Sequence, residues 1–470
     1  MTILVSNRIV DPAASGAITG GLAAALASAV KDSGATWLGG SGKFHTQRGN
    51  LPSIAVTSFS KGELATVDFL ETDYRQFYNG MSNAALWPIL HYRPDLLRYE
   101  PAYLESYRAI NKAMADAVCR LAKNERPIWV HDYHYFMLGR YLRMRGMTGP
   151  IGFFLHTPFP HRTSMVCLPS HREVMQSLSA YDVIGFQTDD DLLNFREYAI
   201  QELFATPVGR TDLRFAESRV QLGVFPIGID VDQFAKSAES AAQSRALARL
   251  RGVLGESKLV IGVDRLDYSK GLPSRLHAYS HFFEHYPEQR KRVSFLQITP
   301  PTRTNVAAYR AMRQELASIA GDINARFGDA DWVALRYIHE GFSPERLAGY
   351  YRLAKIGCVT PLRDGMNLVA KEYVASQDAA DPGVLVLSIF AGAAKQLGAA
   401  LLVNPYDTGA LAARLDQALH MSLGERTERW RALMQTLRGA DLQAWYTSFI
   451  AALTEAALPA PLPFTARHVA

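Results

Sequence analysis

Cysteine is scarce: the 470 residues contain three, Cys119, Cys167 and Cys358, with no CxxC pair. An odd, scattered set excludes a disulfide framework and fits a reducing compartment. An excess of one charge is missing too. Lys plus Arg number 50 and Asp plus Glu 45, leaving a net charge of +5 with no basic block. No nucleic acid is therefore expected as the main partner, which would need a clustered basic face. A pocket for a small anion stays open. Long hydrophobic runs are absent. The most apolar stretch, Val384 to Ala394, is too short to span a bilayer and is cut by Ser388 and Gly392. The opening residues, MTILVSNRIV, show no charged segment, apolar core or cleavage site of a signal peptide. The reading is a cytoplasmic protein with no membrane partner. There is no GxSxG, HExxH or kinase signature. What is present, 48% hydrophobic and 20% charged residues, suits a globular chain long enough for two or three domains.

Short β-branched apolar runs recur: Ile3–Val5, Ile128–Val130, Ile151–Leu155, Val183–Phe186, Val224–Ile227, Leu259–Val263, Val293–Ile298, Val333–Ile338, Ile356–Thr360, Val384–Leu387 and Leu401–Val403. Several are apolar on both faces, as buried parallel strands are. Amphipathic stretches such as Tyr107–Ala122 and Val306–Ala320 lie between them. The alternation predicts an α/β fold. Its strands are too many for one doubly wound sheet of ordinary size, so two sheets in two domains are expected. The best boundary follows Ile229, before a surface helix over Lys236–Arg251. Asp230–Val231–Asp232 matches a DxD metal motif but reads here as a turn and cap. Thr188–Asp189–Asp190–Asp191 reads as a helix N-cap with acids matched to the helix dipole. The tail from Pro459 has no period and is expected to fray.

Polar motifs stand where strands end, the place where parallel sheets bind ligands. Ser6–Asn7–Arg8 closes the first strand, and Gly20–Gly21 opens the helix Leu22–Val30. Such a turn either admits an anion or simply starts a helix. Trp129–Val130–His131–Asp132–Tyr133–His134 offers polar groups for a substrate; its spacing suits no standard zinc motif. His156 precedes Thr157–Pro158–Phe159–Pro160 and reads either as a site residue or as a hydrogen-bonded structural histidine. In Asp264–Arg265–Leu266–Asp267–Tyr268–Ser269–Lys270–Gly271, Arg265 and Lys270 flank a strand-to-helix turn. They suit a diphosphate, unless they are ion-paired with Asp264 or Asp267. Pro361 to Glu372 also joins strand to helix, with Gly365 permitting close approach and Glu372 placed to accept from a ribose hydroxyl.

Taken together these pieces carry a resemblance. SNR, the glycine pair, YNGMSNAALWP (Tyr78 to Pro88), WVHDYH, GFFLHTPFP, DVIGFQT, FPIGID, DRLDYSKGLP, PPTR and PLRDGMNLVAKEYV follow one another between residue 3 and about residue 407. The chain resembles the trehalose-6-phosphate synthases, retaining glycosyltransferases of the GT-B fold. The resemblance implies two Rossmann-like domains facing a cleft. Residues 1–229 would bind acceptor and 230–440 the nucleotide sugar. Residues 441–458 would return as a helix to the first domain, and 459–470 would be disordered. It implies transfer of glucose from UDP-glucose to glucose 6-phosphate with retention, no cofactor or metal, and a homo-oligomeric dimer or tetramer.

For the donor, the resemblance implies Arg265 and Lys270 on the diphosphate, Gly20 and Gly21 beside it, Asp364 and His156 on the glucose, Phe342 near the uracil, and Leu368, Val369, Ala370, Lys371 and Glu372 along the nucleotide. For the acceptor, it implies Arg8, Tyr78, Asp132 and Arg303 on glucose 6-phosphate, with Trp87 beside them. Arg265, Lys270, Asp364, His156 and Asp132 form the implied catalytic set. Two departures stand out. Gly40 replaces a tryptophan and is expected to leave a gap near the acceptor, and Ile389 replaces a polar residue before Phe-Ala-Gly. The rival readings are a sibling synthase with another nucleotide-glucose donor or a glycerol 3-phosphate acceptor, and a non-catalytic sugar-phosphate sensor.

Overall fold

The computed structural model describes residues 2–9, 21–46, 53–122, 126–216, 218–302 and 307–456. Gly20, Arg303 and the 459–470 tail lie outside the described residues. Ten strands form the first sheet: β1 (Ile3–Arg8), β2 (Thr36–His45), β3 (Ile54–Phe59), β4 (Gly62–Leu70), β5 (Ile128–His131), β6 (Ile151–Phe154), β7 (Val183–Phe186), β8 (Thr206–Val208), β9 (Asp212–Arg214) and β10 (Arg219–Val224). Their order is β3-β4-β2-β1-β5-β6-β7-β10-β9-β8. The core from β4 to β10 is parallel, while β3, β9 and β8 pair antiparallel at the edges. The second sheet holds β11 (Lys258–Val263), β12 (Val293–Ile298), β13 (Leu335–Ile338), β14 (Ile356–Val359), β15 (Val384–Ser388) and β16 (Leu401–Val403). It is wholly parallel, in the order β13-β12-β11-β14-β15-β16.

Both sheets are doubly wound, which fixes where ligands can bind. In the second, strand order reverses between β11 and β14; in the first, between β1 and β5. A crevice opens at such a switch point because the loops leaving the two neighbouring strands turn to opposite faces. Arg8 ends β1, and the loop after β5 carries Asp132. The loops after β11 and β14 carry Arg265, Lys270 and Asp364. The strands at these points are buried along nearly their whole length, so apolar packing holds the loop roots rigid.

The helix Leu442–Ala456 crosses back onto the first sheet, as expected. Its Trp445, Phe449 and Leu453 are buried. Phe449 stacks on Trp129 of β5 at 4.2 Å and 7°. A Cβ on Gly152 of β6 would lie 2.7 Å from the Phe449 ring, and one on Gly185 of β7 2.8 Å from it, so these two glycines make the seat for the helix. No helix among the described residues is long and apolar enough to cross a membrane.

Two expectations need correction. The surface helix over Lys236–Arg251 is two helices, Val231–Ala241 and Arg245–Leu254, because Ser244 caps a new helix by accepting from the Leu247 N–H. The strand expected at Val224–Ile227 is Arg219–Val224, and Phe225 instead packs edge-on against Phe449 at 5.1 Å. The chain from Gln76 to Leu86 forms wide, π-helical turns. There Asn83 donates to the Tyr78 carbonyl five residues earlier at 2.7 Å, and Gly80 lies flat against the Tyr103 ring.

Candidate active site

The β11 loop is shaped from behind by a residue the sequence motifs had not singled out. Arg275, fully buried, pairs with Asp264 at 2.5 Å and donates to Thr360 at 2.8 Å and Gln297 at 3.1 Å. It thereby ties the ends of β11, β12 and β14 together. A buried ion pair left with one partner typically costs about 3–5 kcal/mol, so this fork is a structural pin. Asp267, also buried, accepts from the Ser269 N–H at 3.0 Å, Trp87 Nε1 at 3.3 Å and the Tyr309 hydroxyl at 3.3 Å. With both aspartates engaged in this way, the ammonium of Lys270 reaches across to Asp364 at 2.5 Å. Asn367 Nδ2 donates to the same carboxylate oxygen at 3.0 Å. Arg265 is exposed, its guanidinium 5.9 Å from the Trp87 ring centre.

The helix Leu368–Ala375 starts from Asn367, whose side chain accepts from the Ala370 N–H and whose φ is 78°. Leu368 and Val369 present the first-turn N–H groups that no helical carbonyl can reach. Ala370 packs in the core. Lys371 departs from expectation. Its side chain is fully buried and points away from the loop, donating to the Ile227 carbonyl at 2.6 Å and to Gln396 at 2.7 Å. Burial lowers its amine to about 7. Glu372 accepts from the Tyr351 hydroxyl at 3.4 Å, and burial raises its carboxyl to about 7. Phe342 is half-buried, with the Arg346 guanidinium 4.1 Å from its ring centre.

Across the cleft, Arg8 ends β1 exposed, and its guanidinium fills the space a Cβ on Gly42 would take. Gly42 itself has φ +82°. Tyr78 stacks between Tyr74 and His134, at 5.8 and 6.0 Å. Tyr74 donates to Asn7, next to Arg8, at 3.4 Å, and burial first of all pushes its hydroxyl up to about 12. Asp132 has φ 75°, a strained value for a non-glycine residue. Its carboxylate accepts from the His156 N–H at 3.4 Å. At Gly40, where a gap is expected, a Cβ would lie 3.0 Å from the Asn7 carbonyl and 3.2 Å from the Phe69 ring. Ile389 is 42% exposed at the end of β15.

The two halves meet closely. A Cβ on Gly365 would overlap the His156 carbonyl. Arg363 lies between Tyr92, at 4.2 Å, and Phe390, at 4.6 Å. Lys395 pairs with Asp190 at 2.8 Å. His156 faces His131 at 3.2 Å and Gln187 at 3.4 Å, and burial drops its ring to about 3, so it is a neutral imidazole near pH 7. The acidic decoys behave as caps: Thr188 accepts from the Asp191 N–H, and Asp230 from the Gln233 N–H. Among the described residues, one group of three metal-ligand side chains occurs. It is His281, Glu284 and His285, at the other end of the Leu272–His285 helix from Lys270.

The Glycosyltransferase family 20 profile matches residues 13–455. A trehalose-6-phosphate synthase of Sinorhizobium fredii is 44% identical over 456 residues, covering 96% of this chain and 98% of that protein. A UDP-forming α,α-trehalose-phosphate synthase from Burkholderia xenovorans, solved in complex with glucose 6-phosphate, is 41% identical. It superposes with a TM-score of 0.92 over 97% of this chain and all of that one. An E. coli structure bound with UDP-2-fluoro glucose is 39% identical, with a TM-score of 0.90 over 97% of this chain and 99% of its own.

Proposed function

The chain belongs to glycosyltransferase family 20, and on that premise we propose that it transfers glucose from UDP-glucose to glucose 6-phosphate with retention, giving α,α-trehalose 6-phosphate and UDP. The observation that carries this reading is the facing of two switch-point clusters. Arg8, Tyr78 and Asp132 stand on one side, and Arg265, Lys270 and Asp364 on the other, joined where Gly365 meets the His156 backbone. Residues 1–229 then form the acceptor unit, 230–440 the donor unit, and 441–458 the returning helix.

The donor diphosphate takes Lys270 from Asp364 and recruits Arg265. The freed Asp364 accepts from glucose hydroxyls, and His156 lines the same sugar. The nucleotide lies along Gly21 and the N–H groups of Leu368 and Val369, with Glu372 on the ribose and Phe342 at the base. Lys371 serves through its backbone alone. Arg8, Tyr78 and Arg303 hold the acceptor phosphate, Asp132 a sugar hydroxyl, and Trp87 walls the pocket. Asp364, which keeps the Asn367 amide when Lys270 turns to the diphosphate, acts as a hydroxyl acceptor rather than a nucleophile. The bond between glucose C1 and the β-phosphate oxygen breaks as the acceptor's anomeric hydroxyl bonds to C1 from the same face. The hydroxyl proton passes to the leaving phosphate oxygen. Arg265 and Lys270 neutralise the departing UDP, so no metal is needed. The same reading makes the protein cytoplasmic and a dimer or tetramer.

A UDP-release assay across several donors and acceptors, with products weighed by mass spectrometry, tests the proposal. UDP-glucose with glucose 6-phosphate is expected to be best by a wide margin. Preference for another nucleotide-glucose or for glycerol 3-phosphate would support a sibling synthase, and binding without turnover a sensor.

A further inference from the structure

His156 sits at one end of a hydrogen-bonded path that begins on the nucleotide side of the cleft. Ile227, in the segment between the two sheets, is held from both sides. Its carbonyl accepts from Lys371 Nζ at 2.6 Å, and its N–H donates to Gln187 Oε1 at 3.0 Å. A backbone N–H can only donate, so the amide of Gln187 has one orientation. Its Nε2 then faces His156 Nδ1, at 3.4 Å, as a donor. That makes Nδ1 the acceptor and leaves the proton on Nε2, which faces Nδ1 of His131 at 3.2 Å. His131 is wholly buried, and its own Nε2 meets no partner among the described residues. Trp445 of the returning helix closes the far side, 6.0 Å from each imidazole. The groups facing His156 are thus His131, Gln187, Trp445 and, at 4.6 Å, Phe154 around the ring, Asp132 on its N–H and Gly365 on its carbonyl.

We propose that Gln187 and Lys371 are positioning residues for His156. Gln187 fixes the tautomer and tilt of the imidazole, and Lys371 anchors Ile227, the point from which Gln187 is oriented. The nucleotide-binding helix and the sugar-side histidine thereby share one reference point in the joint between the units. With Nε2–H held by His131 and Nδ1 by Gln187, the imidazole turns one fixed carbon edge toward the glucose. Misplacing such a group by about 1 Å can cost on the order of 100-fold in rate. This inference rests on the reaction proposed above.

Three variants test it, read as kcat, KM for UDP-glucose and pH profile. In Gln187→Glu the carboxylate still accepts from Ile227 N–H, but it has no N–H for Nδ1 and favours the imidazolium. Its kcat profile is expected to gain an acid limb that moves up toward neutrality, with KM within about threefold of wild type and a kcat loss of about 10–100-fold at pH 6. Gln187→Leu is expected to lose kcat about 10–100-fold at every pH without a new limb. Lys371→Met is expected to lower kcat by about tenfold or more while KM holds. A Gln187→Glu profile superimposable on wild type overturns the proposal. So does wild-type kcat in Gln187→Leu, which decides the matter if the Glu variant does not fold. So does a raised KM with intact kcat in Lys371→Met, which would place that ammonium on the donor. Failure of the wild type to release UDP would instead sink the proposed reaction.

Discussion

The ammonium of Lys270 and the carboxylate of Asp364 meet at 2.5 Å where the donor's diphosphate and glucose are proposed to lie, so each holds the other's place until substrate arrives. Losing one well-placed donor to a developing charge costs about 10²–10³ in kcat. Lys270→Ala and Arg265→Ala are each expected to lose that much in steady-state turnover; near wild-type kcat in either would remove it from the leaving group. Glu372 gives a second prediction. Its carboxyl is raised from 4.5 to about 7 by burial, and only the ionised form offers full acceptor capacity to ribose hydroxyls. Affinity for UDP-glucose should therefore fall as pH drops through about 7, rather than near the usual carboxylate range. Calorimetric titration between pH 6 and 8.5 checks this, and Glu372→Gln should flatten the curve. Single residues at strand ends were readable because polar groups there interrupt apolar runs. Arg275 and Gln187 were not, since their partners lie in distant segments and leave no periodic trace. The one signal for Arg275 is a lone arginine on the buried face of Leu272, Leu276 and Tyr279.

Elements were legible in proportion to how completely they are buried. β5, β6, β7, β12 and β14 are buried on both faces and were found within a residue or two. β2 was missed because its middle is Gly39–Gly40–Ser41–Gly42, a poor strand composition rescued by pairing with β1 and β4. β3 was missed because most of it is exposed at the sheet edge. β10 was displaced because Arg219–Val220–Gln221–Leu222 alternates, with one face polar, while the apolar residues after it serve the joint. The returning helix is where element packing predicts most. Phe449 is fully buried against Trp129, and large-to-Ala truncation of a buried aromatic costs about 3–5 kcal/mol. Phe449→Ala is expected to lower stability by that amount in equilibrium denaturation. An unchanged midpoint would mean the helix does not hold the first sheet.

At the scale of the molecule, the two sheets present their switch points to each other, and side chains from the C-terminal half reach over the N-terminal half. Trp87 with Asp267, Arg363 with Tyr92, and Lys395 with Asp190 all cross between them. Such closure excludes water, which would otherwise take the glucosyl group. Because the cations proposed for the diphosphate, Arg265 and Lys270, are side chains, turnover should survive EDTA unchanged. Reversible loss restored by Mg²⁺ or Mn²⁺ would refute that.

Retaining transfer to a phosphorylated acceptor is decided by proton NMR of the wild-type reaction. UDP-glucose is supplied with either glucose 6-phosphate or glucose, and anomeric signals and initial rates are followed. The expected result is an α,α-1,1-linked disaccharide phosphate with glucose 6-phosphate and very slow transfer to glucose, because the charge-assisted bond proposed from Arg8 to the phosphate would contribute roughly 1.5–3 kcal/mol. A β-linked product, or glucose used nearly as fast as glucose 6-phosphate, would contradict it.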